Sequence, residues 1–132
     1  MENKALNYYK NGFNCVQSIL KSCNEELKLT ENENELLKAT MGLGTGMFLG
    51  ETCGAVTGAI MALSLKLGSS ESSDKENMRK VFKQIKIFET NFKANNCSMN
   101  CKELKTVYKI DCEKVIKDSA LQIKKQIEEL KI

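Results

Sequence analysis

Residues 50–68 read GETCGAVTGAIMALSLKLG, a cysteine among glycines followed by an almost uninterrupted apolar run. From Thr52 to Leu67 the segment is apolar nearly all round, which is the pattern of a helix buried on every side. Gly68 suits the position just beyond the end of such a helix. We therefore expect a central, buried helix in an all-α fold, with Cys53 at its start.

The stretch before this helix, GLGTGMFLGE at residues 42–51, holds four glycines. Glycine disfavours a stable helix, and it permits positive φ and a close approach of the backbone to other groups. We expect an irregular loop here. Gly50, Gly54 and Gly58 would then leave room beside Cys53 for a partner sulfur, a metal or another cofactor. Because Gly54 and Gly58 are four residues apart, close helix packing is the alternative interpretation.

Apolar residues recur at three- and four-residue steps along further segments, which indicates helices. Capping residues mark three helix starts: Thr30 with Glu33, Ser73 with Glu76, and Asp111. No segment is convincing as a strand, and there is no internal repeat. The sequence therefore predicts a single-domain all-α bundle over residues 1–132. Its five helices are expected at about residues 3–27 (with a break at Gly12), 30–41, 52–67, 73–92 and 111–130.

The last predicted helix carries an apolar stripe that must be covered. The stripe steps by four and three residues through Ile116, Ala120, Ile123, Ile127 and Leu130. It packs either on the rest of the bundle or on a second subunit. A homodimer is therefore one expectation, and it is not required.

Charge and composition limit the classes of binding partner and the cellular compartment that we expect for this protein. Net charge is +3 with both signs interspersed, and aromatic residues make up 6%, so we expect no nucleic-acid partner. The N-terminus lacks the apolar run of a secretory leader, and the stretch 55–67 is too short and interrupted to cross a bilayer. We therefore expect no membrane insertion and a cytoplasmic location. Six cysteines in that compartment favour redox or metal chemistry over static disulfides.

The chain has no histidine. A Cys-His catalytic pair, an imidazole metal ligand and an imidazole acid or base near neutral pH are therefore excluded. The chemistry that remains for a reactive site is that of the thiols. Whether that chemistry makes the protein an enzyme stays open.

The six cysteines differ in their predicted positions. Cys53 and Cys112 fall at helix starts, where free N–H groups and the helix dipole favour a thiolate. Cys23 lies on an apolar face and is expected to be a core filler. Cys97 and Cys101 form a CxxxC pair, which is a weak signal. Segments far apart in sequence could bring four of them to one end of the bundle: Cys15, Cys53, Cys101 and Cys112.

GETCGAVTGAIMALSLKLG, with NGFNCVQSIL upstream and two later cysteines, resembles the C_GCAxxG_C_C family of redox-active proteins, although this chain has CGA where the family name has GCA. The resemblance spans about residues 5–130. It implies that the four family cysteines are Cys15, Cys53, Cys101 and Cys112, with Cys97 as a substitute for Cys101. It also implies a redox or metal-linked role without an established substrate.

Three functions stay open at this point. In a thiol-based redox protein, Cys53 is the attacking thiolate with a low pKa, and Cys15, Cys101 or Cys112 resolves the mixed disulfide formed with an unknown redox partner. In a metal carrier, the same four cysteines bind an iron–sulfur cluster or zinc. In a non-catalytic helical module that binds a partner, the thiols are merely buried. The cofactor is accordingly a cluster, zinc or none.

Overall fold

The structure is a computed structural model that describes residues 1–130. Within that range the chain forms seven α-helices and no β-strand, which confirms the all-α prediction. A 3₁₀ turn at Met41–Leu43 and a wide turn at Gly46–Gly50 precede the fourth helix. The helices are α1 Glu2–Lys10, α2 Cys15–Leu27, α3 Glu33–Ala39, α4 Gly54–Leu67, α5 Lys75–Asn96, α6 Cys101–Thr106 and α7 Cys112–Glu128.

The expected number of five helices is wrong, and two local features explain the difference. The break expected at Gly12 is present, with a φ of +107°, and it divides the first predicted helix into two separate helices. Asn14 then caps α2: its side chain accepts from the Gln17 backbone N–H at 2.8 Å, and the Gln17 side chain accepts from the Asn14 N–H at 3.1 Å. The short α6 has too few residues to show an apolar period.

Two of the predicted caps are wrong by one or two residues, since the cap positions are Asn32 for α3 and Asp74 for α5. The Thr30 hydroxyl accepts from the Asn32 N–H at 3.0 Å, so the chain turns there and α3 begins only at Glu33. Asp74, rather than Ser73, caps α5, since its carboxylate accepts from both the backbone and the side-chain N–H groups of Asn77. The predicted cap at the start of α7 is present, as Asp111 accepts from the Lys114 N–H at 2.8 Å.

Helix α4 is the centre of the fold and packs against α2, α5 and α7. A Cβ at Gly58 would lie 2.9 Å from the Ile19 Cβ and 3.0 Å from the Val16 carbonyl oxygen. Only glycine therefore allows α2 and α4 to approach this closely. On the other side, the buried Ser119 hydroxyl of α7 donates to the Ala55 carbonyl at 2.7 Å. These contacts fix the start of α4 against α2 and α7.

The apolar stripe of α7 is covered by the bundle itself. Ile116, Ala120, Ile123 and Ile127 are at most 3% exposed, and α7 packs on α1, α2, α4 and α5. Of the two interpretations of this stripe, packing on the bundle is the one observed. Among residues 1–130, no helix combines the length and the apolar character that a bilayer crossing needs.

Candidate functional site

Four cysteines line one cavity of about 100 Å³ at the end of the bundle where α4 begins. This volume has room for several water molecules. All six cysteines of the chain are free thiols in the structure. We call the space the thiol cavity, and its lining residues are Tyr9, Asn14, Cys15, Thr45, Cys53, Gly54, Cys101, Lys105, Cys112 and Val115.

Two backbone hydrogen bonds hold Cys53 beside Cys101. The Cys53 N–H donates to the Met99 carbonyl at 2.7 Å, and the Cys101 N–H donates to the Glu51 carbonyl at 2.6 Å. Together they form an isolated antiparallel bridge whose central pair is Thr52 and Asn100. Cys53 and Cys101 each follow that pair by one residue, so the bridge fixes both cysteines relative to one another.

The other two cysteines each begin a helix. Cys15 is the first residue of α2, directly after the cap Asn14, whose side-chain amide donates to the Thr40 carbonyl at 3.1 Å and so anchors the glycine-rich loop. Cys112 is the first residue of α7, directly after the cap Asp111. The N-terminal ends of α2, α4, α6 and α7 therefore all reach the thiol cavity.

Gly54 is in direct contact with one of the thiols. A Cβ at this position would lie only 2.0 Å from the Cys15 Sγ, so the absence of a side chain creates the space that this sulfur occupies. Gly58 faces α2 and serves helix packing. Gly50, with a φ of +70°, turns the chain beside Lys102. Of the three glycines predicted to permit close approach near Cys53, only Gly54 lines the cavity.

The family model described as Putative redox-active protein (C_GCAxxG_C_C) matches residues 13–126, which is most of the chain. The chain belongs to this family. No curated protein and no solved structure matches it. The matched range includes the four cysteines of the thiol cavity and the glycine, Gly54, that accommodates one of them.

The four cavity thiols of this C_GCAxxG_C_C protein differ in their exposure to solvent. Cys15, Cys53 and Cys101 are buried, with at most 8% of each residue exposed. Cys112 is half-buried, and it also lines an open groove on the surface with Lys105, Lys109, Ile110 and Asp111. Cys112 thus lies between the cavity and the solvent, a distinction that helix periodicity does not predict.

The prediction that Cys53 has a low pKa is wrong. Burial raises the pKa of the Cys53 thiol to about 12, and the N–H groups of Ala55 and Val56 in the first turn of α4 oppose this without cancelling it. Burial also raises the pKa of Cys101, against the lowering effect of the Lys105 ammonium. Both thiols are therefore protonated at neutral pH.

The cavity thiols also influence one another in a definite order. After burial, the neighbouring thiol that most raises the pKa of Cys53 is Cys15. For Cys101, the neighbouring thiol that contributes most is Cys112. Each of these two thiols therefore has cavity thiols from other helices close enough to oppose its ionisation.

Cys23 and Cys97 lie outside the cavity. Cys23, on α2, is fully buried in the apolar core, and burial raises the pKa of its thiol to about 12. Its position is that of a core filler, as the sequence predicts. Cys97 is exposed at the C-terminal end of α5. Cys101, rather than its substitute Cys97, is the cysteine that lines the cavity.

Four other polar residues of the cavity were not predicted: Tyr9, Asn14, Thr45 and Lys105. Burial and the Cys112 thiol raise the pKa of the Tyr9 hydroxyl to about 12, so it is present as a hydrogen-bond donor. Lys105 follows Cys101 by four residues, which places both on one face of α6. That spacing would have identified Lys105 had α6 been recognised. Tyr9 and Thr45 carry no comparable signal.

Proposed function

We propose that the protein is a thiol–disulfide redox protein in which Cys112 reacts first with an external disulfide and the buried cavity thiols complete the reaction. The observation that carries this proposal is the shared lining of one cavity by cysteines from α2, α6, α7 and the start of α4. Only Cys112 among them also borders an open groove. The redox-active description of the family agrees with this proposal.

Access and protonation support Cys112, rather than Cys53, as the attacking thiol. The nucleophile in disulfide exchange is the thiolate. Burial both hides Cys53 and raises its pKa to about 12. Cys112 is reached from the groove, and it stands at the N-terminus of the 17-residue helix α7, whose dipole favours a negative charge.

The proposed reaction conserves atoms and electrons. The Cys112 thiolate attacks one sulfur of an external disulfide RSSR′, which forms Cys112–S–S–R and releases R′S⁻, and this thiolate takes up a proton. Cys101 then loses its proton and attacks the Cys112 sulfur, which forms the Cys101–Cys112 disulfide and releases RS⁻, protonated in turn to RSH. Two protein thiols are oxidised, and one external disulfide is reduced to two thiols.

Cys15 and Cys53 form a second pair, to which the disulfide passes by two further exchanges. Cys53 attacks Cys101 in the Cys101–Cys112 disulfide, and Cys15 then attacks Cys53, which leaves a Cys15–Cys53 disulfide and regenerates both outer thiols. Each step is an exchange between sulfurs of the one cavity. The protein would then hold up to four electrons as two dithiol pairs.

Alkylation with iodoacetamide under anaerobic, reducing conditions tests which thiol reacts first. At pH 8 the rise in the pKa of Cys53 from 9.0 to about 12 lowers its thiolate fraction about 1,000-fold. Since Cys53 is also buried, it should be modified far more slowly than the accessible Cys112, and its rate should rise as the pH approaches 12. Peptide mass spectrometry follows each cysteine separately. Exposed Cys97 is the internal reference for a fast thiol and buried Cys23 for a slow one. Modification of Cys53 before Cys112 at pH 8 would contradict the proposed order.

Metal binding by the same four cysteines is the second candidate. Thiolate ligands without histidine suit an iron–sulfur cluster or an all-thiolate zinc site, and a cation would relieve the mutual repulsion of the cavity thiolates. Among residues 1–130, however, no three cysteine or carboxylate side chains are arranged to hold a metal ion. Disulfide exchange needs only two sulfurs at a time, so we place it first.

A further inference from the structure

The groove beside Cys112 is an open depression on the surface that a small molecule can enter. Its volume is about 340 Å³, and it is bordered by Lys105, Lys109, Ile110, Asp111 and Cys112. Ligand sites of small molecules typically begin at about 300 Å³. The one reactive side chain in the groove is the thiol that we propose reacts first.

The two lysines of the groove are available to a ligand. Within residues 1–130 neither Lys105 nor Lys109 forms an ion pair, whereas several other lysines do. The carboxylate of Asp111, also in the groove, accepts from the Lys114 N–H as the cap of α7. The nearby Glu103 carboxylate accepts from the Ser98 hydroxyl at 2.7 Å. The two ammonium groups are therefore the cationic groups of the groove, and the exposed carboxylate of Glu113, the residue after Cys112, also forms no ion pair among residues 1–130.

Lys105 and Lys109 both precede Cys112 in the chain, by seven and three residues. Lys105 lies on α6 and borders both the groove and the thiol cavity. Lys109, in the connection to α7, has a positive φ of +53°, a conformation that few residues other than glycine and asparagine adopt. Cys112 follows three residues later. An anionic molecule bound to these lysines would therefore lie in the groove that Cys112 also borders.

We infer that this groove binds small disulfides that carry carboxylate groups, with Lys105 and Lys109 holding the carboxylates so that the disulfide meets Cys112. This inference rests on the proposed function, and it specifies the substrate class. The reaction is the exchange written above, in which RSSR′ is an anionic disulfide and the released thiol keeps its carboxylate. Charge on the substrate should then decide how fast Cys112 reacts.

Three small disulfides of different charge provide the test: glutathione disulfide, which is anionic, bis(2-hydroxyethyl) disulfide, which is neutral, and cystamine, which is cationic. Stopped-flow or quenched mass spectrometry gives the rate of mixed-disulfide formation at Cys112 at pH 7.5. Each rate is divided by the rate of the same disulfide with a free small thiol, which removes intrinsic reactivity. We expect the corrected rate to be about tenfold higher for the anionic than for the neutral disulfide. The cationic disulfide should be the slowest, and 0.5 M salt should reduce these differences.

Two double variants, each of which removes two positive charges, test whether this selectivity comes from the groove. Because Lys105 also lines the thiol cavity, the readout is the ratio of the corrected rates of the anionic and neutral disulfides at Cys112, and Lys105→Met/Lys109→Met should bring this ratio close to one. Lys80→Met/Lys83→Met is the matched control, because these lysines lie near the opposite, C-terminal end of α4, and it should keep the preference.

The outcomes distinguish this inference from the proposed function. Equal corrected rates for the three disulfides, a preference for cystamine, or a preference that survives Lys105→Met/Lys109→Met would overturn the substrate class and leave Cys112 as the reacting thiol. Failure of all three disulfides to react at Cys112 would overturn both.

Discussion

Disulfide formation among the cavity cysteines in the presence of glutathione disulfide at pH 7.5 should be at least about 50-fold slower when Cys112 is replaced with serine. The remaining cavity thiols are at most 8% exposed. For Cys53, the rise in pKa from 9.0 to about 12 lowers the thiolate fraction about 1,000-fold. The greater nucleophilicity of a more basic thiolate recovers about 30-fold of that loss, since the Brønsted coefficient is about 0.5. The part of the rate loss that is not recovered is then increased by poor access to the buried sulfurs.

Two matched variants make the effect of Cys112→Ser specific. Cys97→Ser removes the exposed cysteine outside the cavity and should leave the rate unchanged. Cys101→Ser should allow Cys112 to form the mixed disulfide but prevent its resolution, so that the glutathione adduct accumulates and is seen by mass spectrometry. A Cys112→Ser protein that oxidises at the parental rate would show that another thiol attacks first.

Gly54→Ala should prevent the Cys15–Cys53 disulfide. The new methyl carbon would lie 2.0 Å from the Cys15 Sγ and 3.1 Å from the Val16 Cγ2. The sulfur must therefore leave its position, or α2 and α4 must separate. We expect a decrease of about 1–3 kcal/mol in the free energy of unfolding, which is typical of overpacking, partly offset by the helix preference of alanine. Urea unfolding of the reduced protein measures the loss of stability. Peptide mapping of the oxidised protein shows whether the Cys15–Cys53 disulfide forms.

Gly58→Ala is the control for Gly54→Ala, because it lies one turn later on the same face of α4. Its methyl carbon would meet the Ile19 Cβ at 2.9 Å and the Val16 carbonyl oxygen at 3.0 Å, and no thiol. We expect a comparable loss of stability with the Cys15–Cys53 disulfide still formed. If both variants form this disulfide as the parent does, Gly54 has no role beyond helix packing.

The sequence predicts most of the helical framework, because the signals are local. The apolar run 52–67 was enough to place α4 at the centre, and Asp111 marked the start of α7. The short helix α6 was missed because six residues carry no usable period. With it, the position of Lys105 one turn after Cys101 was missed as well.

The reactivity of the cysteines was less predictable than their positions. A helix start predicts a stabilised thiolate at Cys53, but the surrounding helices bury this thiol, and burial dominates its pKa. The amount of burial depends on how α2, α4, α6 and α7 converge, which no local pattern specifies. For the same reason, the difference in exposure between Cys53 and Cys112 emerges only in three dimensions.

The central claim is that the four cavity cysteines work as two dithiol pairs. The most direct measurement is a disulfide map of the protein, purified without air and then oxidised with glutathione disulfide. We predict a Cys101–Cys112 disulfide first and a Cys15–Cys53 disulfide second, with Cys23 still reduced and with exposed Cys97 joined to no other cysteine of the protein. Protein that contains stoichiometric iron and sulfide, or zinc, and forms no disulfide among these four cysteines would contradict the claim, as would a metal-free protein in which all four stay reduced.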